Sequence, residues 1–198
     1  MNKGRLEAFS DGVLAIIITI MVLELKIPHV PDFAGLKPLL PVFISYVISF
    51  VYLGIYWNNH HHLLQSIKKI SGKVLWANLH LLFWLSLVPF ATGWMGENHF
   101  APATVALYGS ILLMAAIAYW ILAHLLIKHH GKDSLLAHAL GNDFKGKISI
   151  VIYLIAIPCA FFNQWISAGL FIFVALMWLV PDTRIEKAVN AHNETGNN

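Results

Sequence analysis

Hydrophobic and polar positions alternate along this chain in long blocks, not in the short periods of a water-soluble domain. Apolar runs cover roughly Leu6–Ile27, Leu39–Ser66, Val74–Met95 and Ala103–Ile127, and no charged residue occurs between Ile148 and Val180. A helix needs about 20 apolar residues to cross a hydrocarbon core of about 30 Å. The last run is therefore too long for one crossing. Asn163-Gln164-Trp165 near its middle predicts a turn between two short helices, and Pro158 predicts a kink in the first of them. The pattern predicts an all-α membrane protein with six transmembrane helices over residues 1–182, followed by a short polar tail over 183–198.

Composition narrows the class further. Of 198 residues, 58% are hydrophobic and 12% charged, the latter about half the usual share of roughly 25%. The Phe, Trp and Tyr residues are spread along the chain, as rings at both bilayer interfaces would be. A net charge of +3 does not gather into one patch, so the partner to expect is the lipid bilayer and not a nucleic acid. Cys159 is the single cysteine, which leaves no disulfide framework. Lys3, Arg5 and the run Ala15–Leu23 imitate a signal peptide. Glu7 and Asp11 do not belong in one, and no small-x-small site follows Leu25, so residues 1–27 read as mature protein.

Lysine and arginine set the orientation. With the N-terminus in the cytoplasm, the inner segments hold Lys3, Arg5, Lys68, Lys69, Lys73, Lys128, Lys132, Lys145, Lys147, Arg184 and Lys187, and the outer loops hold only Lys26 and Lys37. That bias predicts both termini cytoplasmic.

On this topology, polar residues of three helices share one depth. Asp11 lies about 9 Å along the first helix from Arg5, and His61 and His80 lie about 10 Å in from the cytoplasmic end. Arg5, Glu7, Ser10, Asp11, Asn58, Asn59, His60, His61, His62, Asn78 and His80 thus collect in the cytoplasmic third of the bundle. Ionisable groups at membrane depth are costly and default to a functional role. Glu7 and Asp11, four apart, share a face and repel; Arg5 cannot neutralise both, which calls for a partner on a neighbouring helix or subunit. The simpler alternative starts the helix at the headgroups with Ser10 or Asp11 as N-cap, but a helix from Gly12 to Glu24 spans only about 20 Å. His60–His62 point in three directions, and no HxxxH or HxxH pair accompanies them, so no metal site is expected. Beyond Asp11 a helical stripe reads Gly12, Ile16, Thr19 or Ile20, and Leu23; on spacing alone it is ordinary packing, with Thr19 bonded back to its own helix.

Arg5, Phe9, Ser10 and Asp11, as R-x-x-x-F-S-D opening a helix that continues GVLAIIIT, together with YWNNHHH and WANLHLLFWLSLVPFATGWM, resemble the transmembrane protein 175 potassium channel family over nearly the whole chain. The resemblance implies a homotetramer, in a bacterial plasma membrane, of single-repeat subunits whose pore is lined by the first helix. It also implies that no re-entrant filter exists; TVALYG at Thr104–Gly109 is then a chance echo of such a filter inside a hydrophobic helix. By position after Asp11, Ile16 would form the apolar constriction, continued by Ile20 and Leu23, and Thr19 a hydroxyl layer favouring potassium over sodium. Arg5, Phe9, Ser10 and Asp11 would form a network holding that helix against Trp57, Asn58, His61 or His80. The expected function is a potassium-selective channel with a hydrophobic gate, not an enzyme, needing no cofactor and passing potassium ions. Glu24, Asp32 and Glu97 would concentrate cations at the outer mouth. Two other classes are to be weighed against it: a proton-coupled secondary transporter using Glu7, Asp11 and His80, and a His-dependent membrane metalloenzyme.

Overall fold

The computed structural model describes residues 3–65, 70–130 and 143–179. Every regular element among these residues is helical. Helix α1 runs unbroken over Lys3–Leu23, about 31 Å at 1.5 Å per residue. It does not wait for a cap at Ser10 or Asp11. The Ser10 hydroxyl donates to the Leu6 carbonyl at 2.9 Å, a bond that requires the preceding turn to be formed already. The helix closes where Glu24 and Leu25 N–H groups turn to the Met21 and Val22 carbonyls, just ahead of Pro28.

A short 3-10 helix over Phe33–Leu39, capped by the Asp32 carboxylate accepting from the Gly35 N–H at 3.1 Å, leads into α2, Leu40–Gln65. Pro41 lies in the first turn of α2, where a missing N–H costs nothing. The third hydrophobic segment is two helices, α3 (Gly72–Ser86) and α4 (Val88–Glu97). Pro89 explains the break: it offers no N–H to the Leu85 carbonyl, and the Leu87 N–H falls back on Trp84 at 3.2 Å. Helix α5, Pro102–His130, starts at a proline and is the longest element. Helix α6, Phe144–Cys159, holds Pro158 in its last turn, so the proline ends the helix where a kink was expected. Asn163 Oδ1 then accepts from the Trp165 N–H at 2.9 Å and opens α7, Gln164–Leu179.

Four stretches are long and apolar enough to cross a membrane: Lys3–Leu23, Phe33–Gln65, Gly72–Glu97 and Pro102–Lys128. Helices α6 and α7, with 16 residues each, reach about 24 Å and fall short of a full core. The tail 183–198, and the charges Lys68, Lys69, Lys132, Arg184 and Lys187 that helped set the orientation, lie outside the described residues.

Helix α5 is the axis of the bundle, packed against α3, α4, α6 and α7, while α1 lies across α2, α3 and α4. Buried hydroxyls stitch the middle of the core: Ser49 meets Thr92 at 2.6 Å and Tyr108 at 3.0 Å, each in a different helix. Small residues let α2 and α4 touch. A Cβ placed on Gly96 would stand 2.5 Å from Ser45 Oγ and 2.6 Å from the Val42 Cα, and a backbone atom cannot yield as a flexible side chain can. Gly96→Ala is therefore expected to destabilise the fold by about 1–3 kcal/mol. Thermal unfolding in detergent checks this; an unchanged midpoint would mean that the helices are less closely apposed.

Candidate functional site

Three helices converge on one buried chain of hydrogen bonds. The Asn78 amide on α3 donates to Ser10 Oγ on α1 at 2.9 Å, and Asn78 Oδ1 meets His60 Nε2 on α2 at 2.7 Å. Ser10 and Asn78 are fully buried and His60 nearly so. The chain has a direction. Ser10 gives its only proton to Leu6, and Asn78 gives its amide proton to Ser10, so His60 must donate through Nε2. At the open end of this site, Lys3 Nζ donates to the Gln65 carbonyl at 3.1 Å, tying the start of α1 to the end of α2.

The two carboxylates of α1 find separate partners. Glu7 pairs with Lys3, one turn earlier, at 3.6 Å. Asp11 Oδ1 accepts from the Trp57 indole N–H on α2 at 3.0 Å. Of the four residues expected to hold the motif, Trp57 alone reaches it. His61 stacks on Trp57 with 6.1 Å between ring centres and meets Gln65 at 2.8 Å. His80 accepts from the Trp84 indole at 2.9 Å. Among the described residues the Asn58 side chain makes no hydrogen bond and Arg5, exposed, has no ion pair. His60 and Asn78, placed in the cluster by depth but not named as partners, are the ones that grip Ser10. Among the described residues, no three of His, Cys, Asp and Glu are placed so that they could hold a metal ion.

The motif is divided between two sides of α1. Leu6, Ser10, Leu14, Ile17 and Met21 form the buried side. Arg5, Phe9, Gly12, Ile16, Thr19, Ile20 and Leu23 lie on the opposite side, all exposed in the single chain. Ile16 is 59% exposed and Leu23 78%. Thr19 Oγ1 donates to the Ala15 and Ile16 carbonyls at 3.0 and 2.9 Å, so its proton is spent inward and its lone pairs remain outward. Helix α2 also carries exposed apolar residues, Phe43, Ile44, Val47, Phe50 and Val51. Thr104–Gly109 is helical, inside α5, and Gly109 admits the Phe171 ring there.

At the far end, the carboxylates are mostly engaged. Glu97 accepts from Lys26 across the exposed surface, Asp32 caps its 3-10 helix, and Glu24 leans on Gly93.

Sequence and structure comparisons agree on a single kinship. The family described as "Endosomal/lysosomal potassium channel TMEM175" matches residues 5–89. A potassium channel of Chryseobacterium sp. (strain P1-3) is 58% identical over 189 residues, covering 96% of this chain and 98% of that protein. A potassium channel of Chamaesiphon minutus is 31% identical, over 88% of this chain and 92% of its own length. The crystal structure described as a lysosomal potassium-selective channel TMEM175 homolog, also from Chamaesiphon minutus, superposes with a TM-score of 0.78 at 29% identity, over 91% of this chain and 97% of that one.

Proposed function

Because the chain belongs to the TMEM175 family of channels, we propose that it is a potassium-selective membrane channel formed by four copies, with the α1 helices side by side around the pore. The observation that carries this is the uncovered side of α1. That side presents Thr19 with Ile16 three residues before it, Ile20 beside it and Leu23 beyond. Around an axis the same residues supply an apolar constriction and a ring of hydroxyl oxygens. Four Ile16 side chains exclude water from a narrow pore and hold it shut without a moving plug. Thr19, having donated its proton inward, offers oxygen acceptors, which suit a cation and repel an anion.

The rest of the motif serves as a mount. Ser10, Asn78 and His60 fix one side of α1 against the bundle, and Trp57 steadies Asp11, so that the opposite side keeps its register on the axis. The helical state of Thr104–Gly109 favours selection by side chains over a filter loop. The bacterial relatives and the charge bias favour a multi-pass plasma-membrane protein of six crossings with cytoplasmic termini. A proton-coupled carrier through Glu7, Asp11 and His80 draws no support from the geometry, since each of the three is bonded elsewhere. The test is ion flux. Purified protein in potassium-loaded liposomes is expected to pass potassium well above empty vesicles and to pass sodium much more slowly, in discrete single-channel steps. Flux indistinguishable from empty liposomes would sink the proposal.

A further inference from the structure

A slot opens on the side of the bundle, between α5 and the joint of α3 with α4. Trp84 on α3, Leu87 at the joint and Phe90 on α4 form one wall, and Leu107, Ser110 and Met114 on α5 form the other. Both sets follow helical spacing, three apart on the first wall and i, i+3 and i+7 on the second. Two such stripes facing each other enclose a trough that runs along the helices, about 10 Å from Leu107 to Met114. No polar atom lines it. The Ser110 hydroxyl donates to the Ala106 carbonyl at 2.8 Å, and the Trp84 indole is taken up by His80. Phe90, 65% exposed, stands at the open edge and stacks on Trp94 with 6.4 Å between ring centres.

Depth, size and direction identify what fills it. Counted along the helices from the turn that joins α4 to α5, Phe90 and Leu107 lie about 8–10 Å in, and Trp84 and Met114 about 18–20 Å in. No Asp, Glu, Lys or Arg occurs from Val74 to Gly96 or from Asn98 to Ile127, so that depth is hydrocarbon in a core about 30 Å thick. The slot measures about 270 Å³, far more than a packing defect in a close-packed interior. Water there would need about two to four polar partners and finds none. At about 30 Å³ for each water-sized group, the space takes roughly nine methylenes. A side chain reaching in from a second copy would enter across the helices. The slot runs with them, which is the direction of lipid chains.

We infer that this slot binds one acyl chain of a membrane phospholipid, from the leaflet on the side of the α4–α5 turn. The chain braces the joint at Leu87, where Pro89 interrupts the backbone ladder. The inference rests on the membrane crossing of these helices and not on ion conduction, so it can fail while the channel reading stands. Full-length protein in liposomes is irradiated with a phospholipid carrying a diazirine midway along one chain, and the adducts are mapped by mass spectrometry. Met114 and Leu87 are expected to carry severalfold more adduct than Leu154 and Phe173, apolar and exposed positions on α6 and α7. Ser110→Phe, which fills the slot from α5, should remove that excess. Phe90→Ala takes away only an exposed ring, so it should fold, and it should lower the excess by opening the wall. Equal labelling at all four positions would overturn the inference. So would an excess that survives both substitutions in folded protein, or labelling of Met114 by a diazirine fatty acid but not by the phospholipid. Less label at Met114 than at Leu154 would overturn it likewise, since a second copy would then cover the slot.

Discussion

Ile16→Asn is expected to raise resting potassium efflux from loaded liposomes by about tenfold or more, because a polar ring in place of an apolar one lets water stay in a narrow pore. Ile16 is 59% exposed on α1 and makes no essential packing in the single chain, so the substitution should fold. Selectivity should also fall, since a wetted constriction admits hydrated sodium. The control is Ile17→Asn. Ile17 is 4% exposed on the buried side, and a polar amide there costs stability without touching the conduit. A leak from Ile16→Asn with none from Ile17→Asn places Ile16 on the axis. Unchanged flux from well-folded Ile16→Asn would remove Ile16 from the gate.

The largest loss of stability is expected from Asn78→Leu. The leucine has the same branched skeleton as asparagine and is no smaller, so no cavity opens, but both hydrogen bonds vanish. His60 keeps a buried Nε2–H with no acceptor, and Ser10 loses its donor. Stranding a buried polar group costs about 1–3 kcal/mol, and two neighbours are affected. A drop of about 2–4 kcal/mol follows, or roughly 4–16 °C in the unfolding midpoint for a chain of this size. Because α1 is gripped through Ser10, the variant should also show altered open probability in bilayer recordings at temperatures where it remains folded. Ser10→Ala, by contrast, leaves only the Asn78 amide proton unmatched and should cost about half as much. If Asn78→Leu melts like the unsubstituted protein, the chain His60–Asn78–Ser10 is not what holds α1.

The sequence carried the helices well and their joints poorly. Charge-free runs bounded the helical stretches because each must be apolar to lie in lipid, a demand that acts on every residue. The break at Leu87 was hidden because the run from Val74 to Met95 is apolar on both sides of it; only Pro89 signalled it, and proline also occurs inside continuous helices. Pro158 misled the other way, marking an end where a kink was expected. The partners of the motif were within reach of spacing. Val74, Asn78, Leu81, Leu82 and Leu85 fall on one side of α3 and are all buried, whereas His80 lies off that stripe. Read by side, and not by depth alone, Asn78 is the polar residue that must face the core. His60 stands likewise with Leu53, Leu63 and Leu64 on α2. His61 and His80 stand out by their ionisable character, but the neutral amide is the better clue, since a buried position favours a group that is satisfied without charge. Glu7 is matched within its own helix by Lys3, one turn earlier, and needs nothing from Arg5.

The unbroken course of α1 has a mechanical corollary. Between Ser10 and Ile16 the helix has no kink, and Gly12 between them sits in a regular turn with open space beyond its Cα. A continuous helix transmits torsion, so α1 behaves as a shaft with a key at one end and a cam further along. Turning Ile16 away from an axis then requires the shaft to twist at Ser10, against the bonds to Asn78 and through it to His60. In the proposed tetramer, the resting position of the constriction would therefore be latched about 9 Å away from it along the helix. Whatever loosens that latch, from within the subunit and without contacting the pore, sets the torque at which it opens.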